Sequence, residues 1–105
     1  MTEDRIVKVE IDDDGKLCVY PETQDFAFIY RAGTEVGWDP QRRCLLSPKP
    51  REWSHARWFT KIVATSADEY GVELQLTLQT DWINVPNDVR LEIMTEQAAR
   101  GANLT

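Results

Sequence analysis

Residues 50–79 place the strongest constraint on the fold. From Pro50 to Tyr70 the apolar positions recur with a helical period, and from Val72 to Gln79 apolar and polar residues alternate, with Gly71 between the two patterns. At about 100° per residue, Ala56, Phe59, Val63, Ala67 and Tyr70 fall on one narrow stripe, with Arg57, Lys61 and Asp68 roughly opposite. Pro50 suits a first helical position and Gly71 a left-handed stop, so a helix is expected over about 50–70. Trp58 and Ile62 lie off the stripe toward one flank, with His55 between them and the core side, and Trp53 lies on the other flank. The apolar arc is therefore wider than the ~100° that a single core face needs. Such a helix meets a sheet and also a second surface, either another helix or another chain. Val72, Leu74, Leu76 and Leu78 alternate with Glu73, Gln75, Thr77 and Gln79, the pattern of a strand with one buried face. Leu74, Leu76 and Leu78 are the expected core centre, packed against Phe59 and Val63.

Upstream, Ile6–Ile11 alternates as a strand. Asp12-Asp13-Asp14-Gly15 breaks the run, and an Asp-Gly pair between apolar runs favours a hairpin. The triple Asp does not fit a calcium loop, because Leu17 stands where an EF-hand loop starting at Asp12 needs glycine. Leu17–Tyr20 is the returning strand, stopped by Pro21. Phe26–Arg31 is expected as a third strand. Val36–Trp38 and Arg43–Leu46 are expected as two short strands around Asp39-Pro40-Gln41. After Trp82 a loop leads to Pro86. Residues 88–100 alternate in part like a strand, but their helix-forming composition, between Pro86 and Gly101, favours a helix. The expected fold is α+β: a mainly antiparallel sheet of short strands, with the long helix and a C-terminal helix on one face, in a single domain over 1–105.

Charge and motifs narrow the function classes. The net charge of −6 and pI near 4.7 argue against a nucleic-acid binder. The charge is uneven: residues 31–61 hold seven basic and three acidic side chains, a net +4 against −10 elsewhere. No run approaches the ~20 apolar residues of a membrane span. The acidic start, Met1–Arg5, does not read as a signal peptide, so the expected location is the cytoplasm. Cys18 and Cys44 are then expected as buried free thiols. Two cysteines and a single histidine do not make a familiar zinc site, and no metal or cofactor is expected. Phosphate loops, GxSxG and HExxH are lacking from the sequence. His55 reads as a packing or interface residue, so no catalytic residue is assigned.

Gly37-Trp38-Asp39, Glu52-Trp53, Glu69-Tyr70-Gly71 and Trp82–Asp88 together resemble small bacterial proteins carried on mobile integron gene cassettes. Some toxin-immunity proteins have a similar size, acidity and α+β build. The resemblance implies a mobile, accessory gene product and supplies no catalytic residues.

The four tryptophans are the remaining signal. Trp38 and Trp82 are expected in the core. Trp58 with Ile62 is expected in an intermolecular or helix–helix contact outside the main core, since tryptophan and arginine are enriched at binding hot spots. The candidate contact residues are Trp58, Ile62, His55, Arg57, Trp53 and Arg43. The expected function is a non-enzymatic protein-interaction module, a homodimer or a binder of another protein. The alternative is a small-molecule binder with a Trp-lined cleft.

Overall fold

A computed structural model describes residues 2–49 and 52–102. The chain runs β1 (Thr2–Ile11), β2 (Leu17–Pro21), a 3-10 turn (Ile29–Ala32), β3 (Gly37–Asp39), β4 (Cys44–Leu46), α1 (His55–Tyr70), β5 (Val72–Gln75), β6 (Asp81–Ile83) and α2 (Asn87–Ala102). The six strands form one mixed, mostly antiparallel sheet in the order β3-β4-β2-β1-β5, with β6 also on β1. With its two helices this is the expected α+β arrangement. Among the described residues no helix is long and apolar enough to cross a membrane.

The β1–β2 hairpin closes as its sequence dictates. Gly15 takes a left-handed φ of 80°, and the Asp12 carboxylate accepts from the backbone N–H groups of Asp14 (3.0 Å) and Lys16 (2.9 Å). On β2, Leu17 and Val19 face the main core, while Cys18 and Tyr20 belong to a second cluster on the other face. The main core joins Ile6, Val9, Leu17, Val19 and Leu45 of the sheet to Phe59, Ile62 and Val63 of α1 and Ile93 of α2.

Helix α1 starts at His55, later than the expected Pro50, which lies outside the described residues. Ser54 is the N-cap, and its hydroxyl accepts from the Arg57 N–H at 3.2 Å, satisfying a donor that the first turn would otherwise orphan. Gly71 ends the helix as expected, at φ 64°. The second surface that the wide apolar arc requires is α2, which packs along α1. Residues 88–100 are accordingly helical.

Three expectations are corrected. Phe26–Arg31 is not a strand: only Phe26 and Ile29 are buried, and their three-residue spacing suits a 3-10 turn, with Ile29 N–H bonded to the Phe26 carbonyl at 3.0 Å. The strand after Gly71 is shorter than its alternation, leaving the sheet after Gln75. Residues 76–80 make a detour, and β6 rejoins the same edge of β1. Thr80 fills the gap, its hydroxyl donating to the Ile6 carbonyl at 2.6 Å and accepting from the Thr77 N–H at 3.0 Å. Leu78 therefore sits at the tip of the detour, 99% exposed, and Leu76 is only partly buried. Finally, Trp58 and Ile62 belong to the chain's own main core, at 8% and 0% exposure.

Candidate functional site

The entry to α1 builds the first site. Trp53 precedes the N-cap, so helical angles do not govern it. It folds back onto Trp58, with ring centroids 4.8 Å apart and planes tilted by 47°. An apolar residue just before the cap packing on the fourth helical residue is a hydrophobic staple, which fixes the angle of chain entry. Arg57 lies over the Trp53 ring, 4.5 Å from its centroid. The staple forms one wall of a cleft of about 440 Å³. Gly33, Thr34 and Glu35 form another wall, and Pro48, Lys49 and Glu52 complete it. Glu35 holds φ at 68°, a left-handed backbone that costs a non-glycine residue ~1–2 kcal/mol. Strain of this kind clusters at functional sites.

His55 lies at the same end of α1 and donates from Nε2 to the Gly15 carbonyl at 3.0 Å, tying the hairpin turn to the helix start. Ile62 is fully buried and does not line the cleft. The structure thus brings Trp53 and Trp58 together in the cleft, with Arg57 stacked on the Trp53 ring. It gives His55 a structural bond and Ile62 a core position. Arg43 lies elsewhere, pairing with Asp25 at 2.7 Å where both side chains are largely exposed. Glu35, Lys49 and Glu52 escaped the sequence reading because all three lie in loops and none belongs to a periodic pattern. The pairing of Trp53 with Trp58 was signalled by the spacing Trp-Ser-x-x-x-Trp around a cap residue.

A second constellation lies on the other face of the sheet. Cys18 and Cys44 are both free and buried, and they cluster with Tyr20. The Tyr20 hydroxyl donates to Glu10 at 2.6 Å, and Lys8 Nζ lies 4.2 Å from the centre of its ring. Arg42, the neighbour of the expected Arg43, is the organising cation. Its Nε donates to Asp39 at 2.8 Å, and its Nη1 reaches Asp12 at 3.4 Å and Cys18 Sγ at 3.6 Å. The hydrogen bond with Cys18 lowers the Cys44 thiol below its ordinary range against the opposing effect of burial, aided by Arg42 and the Tyr20 hydroxyl. The same hydrogen bond, together with burial, raises Cys18.

Asp12 joins this cluster to the hairpin turn. Burial opposes its ionisation, but the Lys16 and Asp14 N–H groups and the Arg42 guanidinium outweigh it, so its carboxyl sits below the ordinary 3.8. A carboxylate whose folded value is depressed contributes stability above its unfolded value and loses it as pH falls through the folded one. Asp12→Asn is therefore expected to lower the melting temperature at neutral pH and to flatten its fall between about pH 5 and pH 2. Parallel melting curves for the two proteins across that range would contradict the assignment.

The family model described as Integron Cassette Protein Hfx_Cass5 matches residues 4–80. The chain belongs to the Hfx_Cass5 integron cassette protein family. A solved structure titled as the integron cassette protein Hfx_Cass5, from the mobile metagenome of North West Arm Sewage Outfall, is 43% identical. That match covers 93% of this chain and 98% of the solved one, with a TM-score of 0.48. The search of curated proteins returns no match. The Hfx_Cass5 model spans every residue of the cleft and of the thiol cluster, whereas α2 lies beyond it. The resemblance to integron cassette proteins read from the sequence is thus the family relationship.

Proposed function

We propose that this chain is a non-enzymatic accessory binding protein whose working surface is the Trp53–Trp58 cleft and whose ligand is a small organic cation. The carrying observation is the cleft itself, a space of about 440 Å³ walled by a packed tryptophan pair and lined by Glu35, Glu52 and Lys49, where the Arg57 guanidinium over Trp53 already shows an aromatic face holding an organic cation. That volume lies in the ~300–1,000 Å³ range of small-ligand sites. Aromatic faces attract cations through their quadrupole, and two carboxylates add charge complementarity. Engagement of His55 with the Gly15 carbonyl supports a binding role over acid–base chemistry. The chain's two free thiols suit the cytoplasm, which keeps thiols reduced.

A thermal-shift panel of tetramethylammonium, methylguanidinium, neutral isosteres and carboxylates tests the reading. A ligand that binds only the folded chain raises the melting temperature in proportion to ln(1 + [L]/Kd). The cations are expected to give a dose-dependent rise and the carboxylates none. Glu35→Gly removes one carboxylate and the left-handed strain together. Its stability without ligand is expected to stay within ~1 kcal/mol of the parent, because glycine also loosens the unfolded chain. Its cation response is expected to fall severalfold. A response of equal size in parent and variant, or a response to carboxylates alone, would overturn the proposal.

A second reading, a protein-interaction module, is favoured by Phe28 and Tyr30. These rings are 57% and 61% exposed, lie 6.5 Å apart between centroids and have Arg31 stacked on Phe28. Aromatic and arginine side chains dominate binding hot spots. A second copy of the chain, or a basic partner of the kind an immunity-type protein meets, would dock here. Under this reading, replacing both rings with serine lowers the assembled mass on size exclusion and leaves the cation response intact.

A further inference from the structure

Charges of both signs line the cleft without neutralising one another. Glu35, Lys49 and Glu52 are all exposed there. The ion pairs among the described residues are Arg5–Glu22, Arg42–Asp12, Arg42–Asp39 and Arg43–Asp25, and none of these side chains lines the cleft. Lys49 therefore stays beyond salt-bridge distance of both carboxylates, although the three share one space of about 440 Å³. A lysine ammonium on its flexible four-carbon stem readily swings to a carboxylate within reach. The separation here is built by the chain. The Lys49 stem lies along the β1–β2 turn, its Cγ, Cδ and Cε atoms 3.6, 3.9 and 3.6 Å from where a Cβ on Gly15 would sit. The Gly15 carbonyl also takes the His55 hydrogen bond at 3.0 Å, so the turn that backs the stem is fastened to the start of α1. Glu35 is carried by the left-handed backbone before β3, and Glu52 directly precedes the Trp53 staple.

Such a lining discriminates by charge pattern. A simple cation on the tryptophan wall meets Lys49 as a like charge, and a simple anion on Lys49 meets Glu35 and Glu52. A ligand with both charges turns each of these contacts favourable, and a few polar groups at fixed places are what set a small ligand's orientation. We infer that the ligand of the cleft is a zwitterion: an organic ammonium or guanidinium joined by a short spacer to an anionic group. Its cationic end lies against Trp53, Trp58 and the two carboxylates, and its anionic end accepts hydrogen bonds from the Lys49 ammonium. This inference rests on the cation reading of the cleft and adds the second end of the ligand.

The test compares 4-(trimethylammonio)butyrate with its methyl ester, which keeps the same ammonium at nearly the same size and lacks the carboxylate. Tryptophan fluorescence of the full chain reads the two dissociation constants. The parent is expected to prefer the zwitterion by about two- to fivefold, the range that one solvent-exposed ion pair supplies. Lys49→Met keeps most of the stem against Gly15 and removes the charge. In this variant the preference is expected to vanish, the zwitterion binding more weakly and the ester, relieved of a like charge, more tightly. Lys49→Arg keeps the charge and is expected to keep the preference. The readout is a ratio of two affinities within one protein, so a change in stability of a variant does not move it. Equal affinity for zwitterion and ester in the parent would overturn the inference and leave the cation reading standing. A preference that persists in Lys49→Met would overturn the assignment to Lys49. Binding of neither probe would overturn the cation reading and this inference with it.

Discussion

Leu74→Ala is expected to lower the stability by ~2–5 kcal/mol, the usual cost of deleting a fully buried leucine side chain. For a domain of about a hundred residues this corresponds to a fall in melting temperature of roughly 10–30 °C. Since domains of this kind retain only ~5–15 kcal/mol in total, the variant approaches unfolding at ambient temperature. Leu78→Ala, four residues along the same alternation, is expected to change stability by less than ~0.5 kcal/mol, because Leu78 is 99% exposed at the tip of the detour. Chemical denaturation of both variants checks the pair. Equal losses at the two positions would mean that the strand continues to Gln79 and that the Thr80–Ile6 bridge does not form.

Trp58→Asp carries the largest expected effect. The substitution removes an aromatic side chain from the main core, at ~3–5 kcal/mol, and leaves a carboxylate where almost no surface is exposed. It also removes the partner of the Trp53 staple. The protein is expected to be largely unfolded, or to melt tens of degrees lower, with the same assembled mass as the parent when measured under folding conditions. A subunit contact through this residue predicts the opposite: a folded variant of reduced mass with little loss in melting temperature. Size-exclusion light scattering and a melting curve on one preparation distinguish the two.

Regular periodicity was the part of the fold that could be read from sequence. The Asp-Gly hairpin, the Gly71 stop and the stripe of Ala56, Phe59, Val63 and Ala67 are local signals, and each takes its expected place. The wide arc on α1 correctly called for a second surface, which α2 of the same chain supplies. The errors arose where tertiary bonds override alternation. Val72–Gln79 alternates throughout, but the Thr80 hydroxyl captures the Ile6 carbonyl and pulls residues 76–80 out of the sheet. Phe26–Arg31 has strand composition, yet its buried positions are spaced by three.

The cleft was legible only in its tryptophans. Helical angles placed Trp53 and Trp58 on opposite flanks, whereas the Ser54 cap turns Trp53 back onto Trp58. Glu35 and Glu52 reach the same space through loop geometry that no sequence period encodes. Of the adjacent Arg42 and Arg43, the left-handed turn sends Arg43 outward at φ 58° and gives Arg42 to Asp12, Asp39 and Cys18.

The four tryptophans offer a direct test of where the chain binds, because each indole N–H gives its own signal in a nitrogen-15 correlation spectrum. Trp53 and Trp58 line the cleft, while Trp38 and Trp82 pack elsewhere against the core. On titration with tetramethylammonium or methylguanidinium, the indole signals of Trp53 and Trp58 and the amide of Glu35 are expected to move together along one saturating curve. Those of Trp38 and Trp82 are expected to stay in place. Saturable shifts at Trp38 or Trp82 with the cleft signals unmoved, or shifts confined to Phe28 and Tyr30, would contradict the cleft as the working surface.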